Sequence, residues 1–251
     1  MSQRSPLRVL NLNMHKGFSS FNRRFVLNEM REAIRSSEAD LVFLQEVIGE
    51  HKSHQKNHKN WPVQTQYEFL ADSIWHHHAY GQNAVYLDGH HGNALLSKFP
   101  ITFWKNIDIS CHAFESRGFL HCVIEIPETR EEIHCLCTHL GLFDYHRKKQ
   151  YQMMSSYIQK NIPEDAAIVL AGDFNDWLLS SRSRFAQPLG LLEVFESVGS
   201  ELPRSFPSWL PLLKLDRIFC RGFKVLSAQT LSGKIWAELS DHKALLAEIQ
   251  R

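Results

Sequence analysis

The sequence predicts an α/β protein, and three observations lead to that fold class. Short runs of β-branched and other apolar residues, such as 7–13 (LRVLNLN) and 168–172 (IVLAG), are typical of strands buried on both faces. Segments with apolar residues at helical spacing, such as 21–37 and 145–161, predict covering helices. Polar side chains directly follow several of the apolar runs, where an α/β sheet usually keeps its functional residues.

The segment 168–176, IVLAGDFND, shows this pattern most clearly. Its strand is predicted to stop at Gly172, and Asp173 and Asn175 follow two residues apart. In extended backbone, positions i and i+2 point to the same side, so a carboxylate and a carboxamide would leave the strand end together. A strand followed by an Asx-rich turn explains the same residues equally well. The functional interpretation gains weight because the pattern recurs along the chain.

The N-terminal strand, residues 7–13, repeats the arrangement. It ends in Asn13, and His15 follows at the same spacing, so the two side chains are predicted to share one side of an extended segment. A polar turn, in which Gly17 permits the bend, is the alternative. The helix predicted for residues 21–37 has no assigned chemistry.

The next strand, residues 41–44, is short and is followed by Glu46. A glutamate placed so soon after four apolar residues is rarely buried unless it is paired or bound to a cation. Simple exposure to solvent is the alternative, and we favour the metal interpretation. Further along, residues 80–87 and 93–97 predict a pair of strands joined as a hairpin, with Asn93 near a strand end.

Two candidates come from the middle of the chain. Arg117 precedes a strand predicted over residues 119–126; it is either a surface cation or a fork for a phosphate oxygen. His139 follows a strand predicted over 131–138, and a histidine in that position is a candidate acid, base or oxyanion partner. A lone histidine of this kind is more often structural.

The C-terminal third supplies the last candidates. Asp216 is embedded in the short strand predicted over residues 215–220 (LDRIFC), where an acid among apolar residues requires a partner such as histidine. Asp241 and His242 are adjacent and precede a terminal strand within residues 239–249. An Asp-His pair at one loop offers a metal ligand and a general base together, although the tripeptide SDH is a weak signal by itself.

The composition and charge are those of an ordinary globular protein. Of the 251 residues, 43% are hydrophobic and 22% are charged, as in ordinary globular proteins. The 28 lysines and arginines nearly balance the 27 acids, so a net charge of +1 gives no broad electrostatic argument for nucleic acid or an anionic membrane. A local basic groove is compatible with that balance. No internal repeat or linker is evident, which predicts a single domain over residues 5–251.

The cysteine pattern and the lack of targeting segments indicate the compartment in which the protein is expected. The five cysteines form neither a disulfide framework nor a zinc motif, which suits a reducing compartment. The N-terminus lacks the features of a signal peptide and no stretch is long and apolar enough to span a bilayer, so we expect a cytoplasmic protein. No obligate protein partner is indicated, and we expect a monomer. Histidine clusters, including His90–His91, are interpreted as solvated surface.

Eight short motifs occur in order along nearly the whole chain: NLNMHKG, LQEV, GNALLSKFP, ESRG, THLG, GDFND, LDRIF and SDH. Together they resemble the endonuclease/exonuclease/phosphatase superfamily, which includes DNase I-like nucleases, abasic-site endonucleases, tyrosyl-DNA phosphodiesterases, sphingomyelinases and inositol-polyphosphate phosphatases. Each motif alone is unspecific, but eight in register are a strong signal. The compact length and the NMHKGF stretch are most similar to small, stand-alone bacterial members.

This resemblance implies a four-layer α/β/β/α sandwich, in which two mixed β-sheets pack face to face with helices outside. It also implies a divalent cation, Mg²⁺ with Mn²⁺ as the alternative, held by Glu46 with Asn13 and Asp241 near it. Many nuclease members have an acid two residues after the first asparagine, whereas this chain has His15. A second, carboxylate-rich metal site is therefore in doubt, and His15 would either ligate Mn²⁺ or contact substrate.

The remaining roles implied by the resemblance concern the phosphate. Asp173 would orient or deprotonate the attacking water, and Asn175 would bind a phosphate oxygen. His242, oriented by Asp216, would be the second acid/base or charge-stabilising group. The other implied contacts surround the scissile phosphate: His139 and Arg117 facing it, and Asn93 as a supporting polar contact.

The sequence therefore predicts a metal-dependent hydrolase that cleaves phosphodiester bonds by in-line attack of an activated water. DNA or RNA is placed slightly ahead of phospholipid head groups as substrate, and small phosphate esters come third. Basic residues are too scattered to form a nucleic-acid motif, while the apolar segment 206–213 would suit a lipid. A catalytically inactive binding module is the remaining alternative, but the acids and the terminal histidine whose loss would mark it are all present.

Overall fold

The computed structural model describes residues 5–53, 58, 60–72, 74–112 and 115–251. In chain order the strands of the described part are β1 (Leu7–Asn13), β2 (Leu41–His51), β3 (His77–Tyr86), β4 (Gly89–Ser97), β5 (Ile101–Asp108), β6 (Gly118–Ile126), β7 (Glu131–His139), β8 (Ala167–Asp173), β9 (Leu192–Glu193), β10 (Asp216–Arg221), β11 (Lys224–Thr230) and β12 (Leu245–Gln250).

These strands form two six-stranded sheets. The first has the order β11-β12-β1-β2-β4-β3 and the second has the order β5-β6-β7-β8-β10-β9. Both sheets are mixed, because β1 pairs with β2 and β7 pairs with β8 in parallel, whereas their other pairings are antiparallel. Each sheet therefore has one parallel pair near its centre.

The helices that lie wholly within the described residues are α1 (Leu27–Ser36), α2 (Gln66–Ala71), α3 (Asp144–Asn161), α4 (Val194–Ser197) and α5 (Lys234–Ala237). Short 3₁₀ segments lie at His15–Gly17, Ser20–Asn22 and Gln187–Leu189, and a π-helical turn lies at Arg182–Ala186. Among the helices of the described residues, none has the length and apolar character needed to cross a bilayer.

Three apolar layers hold the sandwich together. Along β1, Val9 packs in the central layer between the sheets, while Leu10 and Leu12 pack outward beneath α1 and α2. Along β8, Val169 packs centrally, while Leu170 packs outward beneath α3. Because both faces of these strands are buried, their sequences read as continuous apolar runs. The predicted four-layer α/β/β/α architecture is confirmed.

Element boundaries differ from the sequence prediction at two places that matter for the site. Helix α1 begins at Leu27 and not at residue 21, because Phe21 and Asn22 have φ values of 64° and 53°, which no right-handed helix accommodates. Strand β2, predicted to end at residue 44, continues to His51. A bulge between Leu44 and Val47 interrupts its pairing with β4, and the bulge contains Glu46.

Candidate active site

Polar side chains from both sheets meet at one edge of the sandwich. In the second sheet β7, β8 and β10 are neighbours, and their register sets His139 beside Asp173 and Asp173 beside Asp216. In the first sheet, β1 ends at Asn13. The Nδ2 atom of Asn13 donates a hydrogen bond of 3.1 Å to Oδ2 of Asp173. This bond joins the two sheets at the point where their polar strand ends converge.

The two strand-end pairs singled out from the sequence are built as turns. Oδ1 of Asp173 accepts a hydrogen bond from the backbone N–H of Asn175 at 2.9 Å, and Oδ1 of Asn13 accepts one from the N–H of His15 at 3.2 Å. Asn175 and His15 have φ values of 46° and 45°, so the extended backbone expected for each pair is wrong and the turn alternative is correct. Asn175 nevertheless lines the same cleft as Asp173.

Asp173 is the most contacted acid of this group. It is 2% exposed, and its Oδ2 atom lies 3.6 Å from Nε2 of His139 and 3.7 Å from Nε2 of His242, in addition to the Asn13 contact. Burial raises the pKa of Asp173 to about 6; the positive charge of His242 opposes that shift and the charge of Asp216 adds to it. A carboxyl group with a pKa near neutrality can exchange a proton during catalysis.

His242 and Asp216 form a buried pair. The Nδ1 atom of His242 lies 2.8 Å from Oδ2 of Asp216, and a carboxylate only accepts, so Nδ1 carries the hydrogen. Burial disfavours the charged imidazolium, but the carboxylates of Asp216 and Asp173 outweigh it and raise the pKa of His242 to about 10. His242 is therefore positively charged at neutral pH, with Nε2 directed toward Asp173.

Glu46 and Asp241 supply the oxygen atoms that a divalent cation prefers. Glu46 has a φ of 56° in the β2 bulge, and its carboxylate accepts a hydrogen bond of 3.4 Å from Asn13. Asp241 lies 3.7 Å from Nε2 of His15, whose Nδ1 atom is buried with no hydrogen-bond partner in the described part of the chain. Two carboxylates and an amide fit a cation of the Mg²⁺ or Mn²⁺ type, and an imidazole is a ligand that Mn²⁺ accepts more readily than Mg²⁺.

Arg117 and Asn175 are both held by the carbonyl of Leu140, the residue that follows His139. Nε of Arg117 donates to that carbonyl at 3.1 Å and Nδ2 of Asn175 donates to it at 2.9 Å. Burial holds the pKa of His139 well below its ordinary value, and the positive charges of Arg117 and His242 lower it further. His139 is thus a neutral imidazole beside two cations, and all three predicted residues line the cleft.

Asn93, unlike the other predicted contacts of the phosphate, has a structural position between the two sheets. It is 1% exposed, and its Nδ2 atom donates to the carbonyl of Gly118 at 2.9 Å and to that of Cys137 at 3.4 Å. These bonds connect β4 to two strands of the opposite sheet. Asn93 therefore ties the sheets together behind the cleft and does not line it.

The cleft has a volume of about 360 Å³ and contains residues that sequence reasoning missed. His91, interpreted above as solvated surface, lines it; burial and, to a lesser degree, Lys16 lower the pKa of His91 to about 4. The observation that identifies His91 as a cleft residue is the pairing of β4 with β2. This pairing places His91 opposite Ile48, just after the bulge that contains Glu46. The other residues missed are Leu142, Trp177 and Leu215, whereas Lys16 and the segment that begins at Phe206 were considered from the sequence as possible substrate contacts.

Comparison with known proteins identifies the family. The model of the endonuclease/exonuclease/phosphatase family matches residues 10–242, which is nearly the whole chain. The chain belongs to the endonuclease/exonuclease/phosphatase family. It is 44% identical over 248 residues to the protein YbhP of Escherichia coli K12, covering 99% of this chain and 98% of that protein.

Solved structures of the same fold are more distant in sequence. A family member from Bacteroides vulgatus superposes with a TM-score of 0.78 at 16% identity and covers 98% of this chain and 99% of that chain. Humanized D. rerio TDP2 superposes with a TM-score of 0.73 at 20% identity, covering 99% and 100%. The mannosyl-6-phosphatase of Bacteroides thetaiotaomicron VPI-5482 has a TM-score of 0.73 at 16% identity, covering 98% and 100%. These likenesses establish the fold.

Family membership makes the chain a phosphate-ester hydrolase of this superfamily, whose members generally use divalent metals. A carboxylate–histidine cluster is present: ligand atoms of Asp173, Asp216 and His242 lie within 4.8 Å of one another. A cation bound by those three residues would have to displace the hydrogen bond between His242 and Asp216. Glu46 and Asp241 line the same cleft but lie outside that cluster.

Proposed function

We propose that the chain is a divalent-metal-dependent phosphodiesterase that uses water as its nucleophile. The position of Asp173 carries this proposal. One oxygen of its buried carboxylate is approached by Asn13 at 3.1 Å, His139 at 3.6 Å and His242 at 3.7 Å. A carboxylate fixed in this way at the base of an open cleft is suited to orient a water molecule for in-line attack and to accept its proton.

Glu46, Asn13 and Asp241 would hold the cation, which we propose to be Mg²⁺. Mn²⁺ is the alternative cation, and it accepts the imidazole of His15 as a further ligand more readily than Mg²⁺ does. When bound, the cation stabilises negative charge on a phosphoryl oxygen. The fit of these residues to Mg²⁺ rests on their two carboxylates, whereas the buried Nδ1 atom of His15, which has no hydrogen-bond partner among the described residues, favours Mn²⁺.

The other cleft residues would bind the phosphate. Asn175 and the neutral His139 can donate hydrogen bonds to phosphoryl oxygens, and the guanidinium of Arg117 can pair with their charge. His242, charged at neutral pH and held by Asp216, would stabilise the negative charge that develops as the P–O bond breaks. In this arrangement the reaction starts with Asp173 ionised, His139 neutral and His242 positively charged.

Metal dependence is the first test. We expect the purified chain to hydrolyse an aryl phosphodiester with Mg²⁺ or Mn²⁺ and to lose that activity in EDTA, because phosphoryl transfer depends on charge stabilisation in the cleft. Millimolar Mg²⁺ should raise the melting temperature of the wild type. A Glu46→Gln/Asp241→Asn variant should show neither effect. Hydrolysis that is insensitive to EDTA would contradict metal dependence, and absence of both hydrolysis and a thermal shift would indicate a binding module.

The substrate must be inferred from the cleft, because the similar folds differ in theirs. D. rerio TDP2 was crystallised with a single-strand DNA product, whereas another similar structure is a mannosyl-6-phosphatase. Three residues that line the cleft, Leu142, Trp177 and Phe206, lie in segments that carry exposed apolar side chains. We call these exposed side chains the apolar rim; it comprises Leu142, Phe143, Trp177, Leu178, Leu179, Trp209, Leu210 and Leu212, together with Phe21, whose ring centre lies 6.1 Å from that of Trp209.

The chemistry of the apolar rim favours a lipid. Most of its members are leucines, which do not stack on nucleic-acid bases as flat aromatic rings do. Cations lie beside it: Lys16 lines the cleft, and the guanidinium of Arg23 lies 5.0 Å from the ring centre of Phe21. Apolar tips interspersed with cations are the arrangement expected for contact with an anionic bilayer surface. We therefore propose a phospholipid phosphodiester as substrate, ahead of the nucleic acid slightly favoured by the sequence.

A matched pair of variants tests this choice. Leu178→Ser/Leu210→Ser should reduce hydrolysis of phosphatidylglycerol in vesicles by roughly tenfold or more, because two leucines lose their contact with the bilayer. Hydrolysis of a soluble aryl phosphodiester should be unchanged. The control, Leu192→Ser/Leu226→Ser, removes two leucines of similar exposure on β9 and β11, away from the cleft. A selective loss of single-stranded DNA or RNA hydrolysis in the rim variant would instead support nucleic acid.

A further inference from the structure

A second group of metal-ligating side chains lies outside the catalytic set. His112 and Glu115 belong to the connection between β5 and β6, and His146 lies in the first turn of α3. Oε2 of Glu115 is 3.7 Å from Nε2 of His112 and 3.5 Å from Nδ1 of His146. The three ligand atoms lie within 4.8 Å of one another. The proposed mechanism uses none of these residues.

Two of these ligand atoms are buried without a hydrogen-bond partner. Oε2 of Glu115 and Nδ1 of His146 are both in this position within the described part of the chain. An unsatisfied buried polar atom is costly, and here two face each other at a distance too long for a hydrogen bond. A cation between them would satisfy both at once.

Hydrogen bonds to the other oxygen of Glu115 orient its Oε2 atom toward the two histidines. Its other carboxylate oxygen, Oε1, accepts hydrogen bonds from Nη2 of Arg117 at 3.4 Å and from the backbone N–H of Leu142 at 3.3 Å. Oε2 is thereby turned toward the histidines, as outer partners commonly orient a metal ligand. Gly141 makes room for it, because a Cβ atom at that position would lie 2.6 Å from Oε2.

We propose that His112, Glu115 and His146 bind a transition-metal ion of the zinc class, separate from the catalytic cation. Two imidazoles and one carboxylate are ligands that Zn²⁺ prefers and that Mg²⁺ does not. Tetrahedral Zn²⁺ with ligand distances of about 2.0–2.1 Å separates its ligands by roughly 3.4 Å. The observed separations of 3.5 and 3.7 Å are close to that value. The ion would fasten the β5–β6 connection to the start of α3.

This site adjoins the catalytic cleft and leaves room for a fourth ligand. A surface cleft of about 380 Å³ is lined by His112 and Glu115 together with His91 and Arg117. His91 and Arg117 also line the catalytic cleft, so they form the wall between the two. A water molecule or an anionic group of the substrate would complete the coordination of the ion. Through Glu115, the bound ion would also fix the position of Arg117.

The test measures metal binding, independently of activity. The full chain, stripped of metal with a chelator, is titrated with Zn²⁺ by calorimetry in the presence of saturating Mg²⁺, and with Co²⁺ by absorption spectroscopy. We expect one Zn²⁺ per chain and a visible Co²⁺ spectrum with imidazole ligands. In His112→Gln/His146→Gln the affinity should fall at least about tenfold. If the double variant fails to fold, the isosteric Glu115→Gln variant is titrated instead, and the same loss of Zn²⁺ affinity is expected.

Two controls locate the ion. His77→Gln/His78→Gln removes a pair of histidines on β3, and Glu46→Gln/Asp241→Asn removes the carboxylates proposed for the catalytic cation. Both variants should bind Zn²⁺ as the wild type does. Equal Zn²⁺ binding by the wild type and by the His112/His146 and Glu115 variants would overturn the proposal. So would loss of binding in the Glu46/Asp241 variant, or no Zn²⁺ binding by the wild type.

Discussion

Asp173→Asn is expected to lower the rate of phosphodiester hydrolysis by roughly three orders of magnitude, the middle of the range for loss of a positioned base. The amide keeps the size of the side chain and can still accept the hydrogen bond from Asn175, but it cannot accept a proton from water. Turnover of an aryl phosphodiester in saturating Mg²⁺ gives the measurement. The cleft should still bind phosphate, so the loss should appear in kcat more than in KM.

The same variant should have a free energy of unfolding close to that of the wild type, because two effects of opposite sign act on it. Burial raises the pKa of Asp173 from 3.8 to about 6, so the folded state binds this proton more tightly than the unfolded chain does. Above pH 6 the ionised carboxylate therefore lowers the free energy of unfolding. The neutral amide removes that cost, but it replaces Oδ2, the acceptor of the Asn13 hydrogen bond, with an NH₂ donor. Asp165→Asn, an exposed aspartate in the turn before β8, is the matched control for activity. Wild-type turnover in Asp173→Asn would refute the role assigned to Asp173.

The strands that carry the site could be predicted because their sequences report burial directly. Residues 7–13 coincide with β1, and the strand predicted from residue 168 to Gly172 differs from β8 by one residue at each end. The polar residues after them could be predicted for the same reason, since a change from apolar to polar marks the strand end. The pairing of β7 with β8 and of β8 with β10, which aligns His139, Asp173 and Asp216, depends on contacts between distant segments.

The backbone at the ligands could not be predicted. Glu46 lies in a bulge of a strand that continues to His51, and its φ of 56° results from pairing with β4 on one side and β1 on the other. No local pattern in LQEV indicates that conformation. His91 was missed because adjacent histidines resemble surface, and only the sheet register shows that one of them lines the cleft.

The cluster of His112, Glu115 and His146 shows the same limit. Glu115 and Arg117 lie in the ESRG motif, in which only the arginine attracts notice from sequence. His146 is far along the chain, in a helix start that reads as a basic surface. Their proximity arises because α3 packs against the second sheet, with its first turn beside the β5–β6 connection. A fold-level arrangement, and not a spacing rule, brings the three ligands together.

Asp216→Asn is expected to move the alkaline limb of the pH–rate profile to lower pH and to reduce kcat by roughly a hundredfold. The carboxylates of Asp216 and Asp173 overcome burial and raise the pKa of His242 to about 10. The amide removes one of those charges, so His242 should lose its proton at a lower pH and the charge-stabilising group should disappear earlier. The rate below the shifted limb also falls, because the amide orients the imidazole less firmly than the carboxylate at 2.8 Å.

The pKa of His242 can be followed by NMR titration of its imidazole in wild type and variant, with His242→Gln identifying the resonance. The sign of the shift discriminates between roles. If Asp216 only filled space, the asparagine, which has nearly the same volume, would leave both the titration and the alkaline limb where they are. If Asp216 holds the charge on His242, both move downward together, and activity at pH 6 survives better than activity at pH 9. An unchanged alkaline limb in the variant would show that His242 does not owe its charge to Asp216, and it would refute the charge-holding role assigned to Asp216.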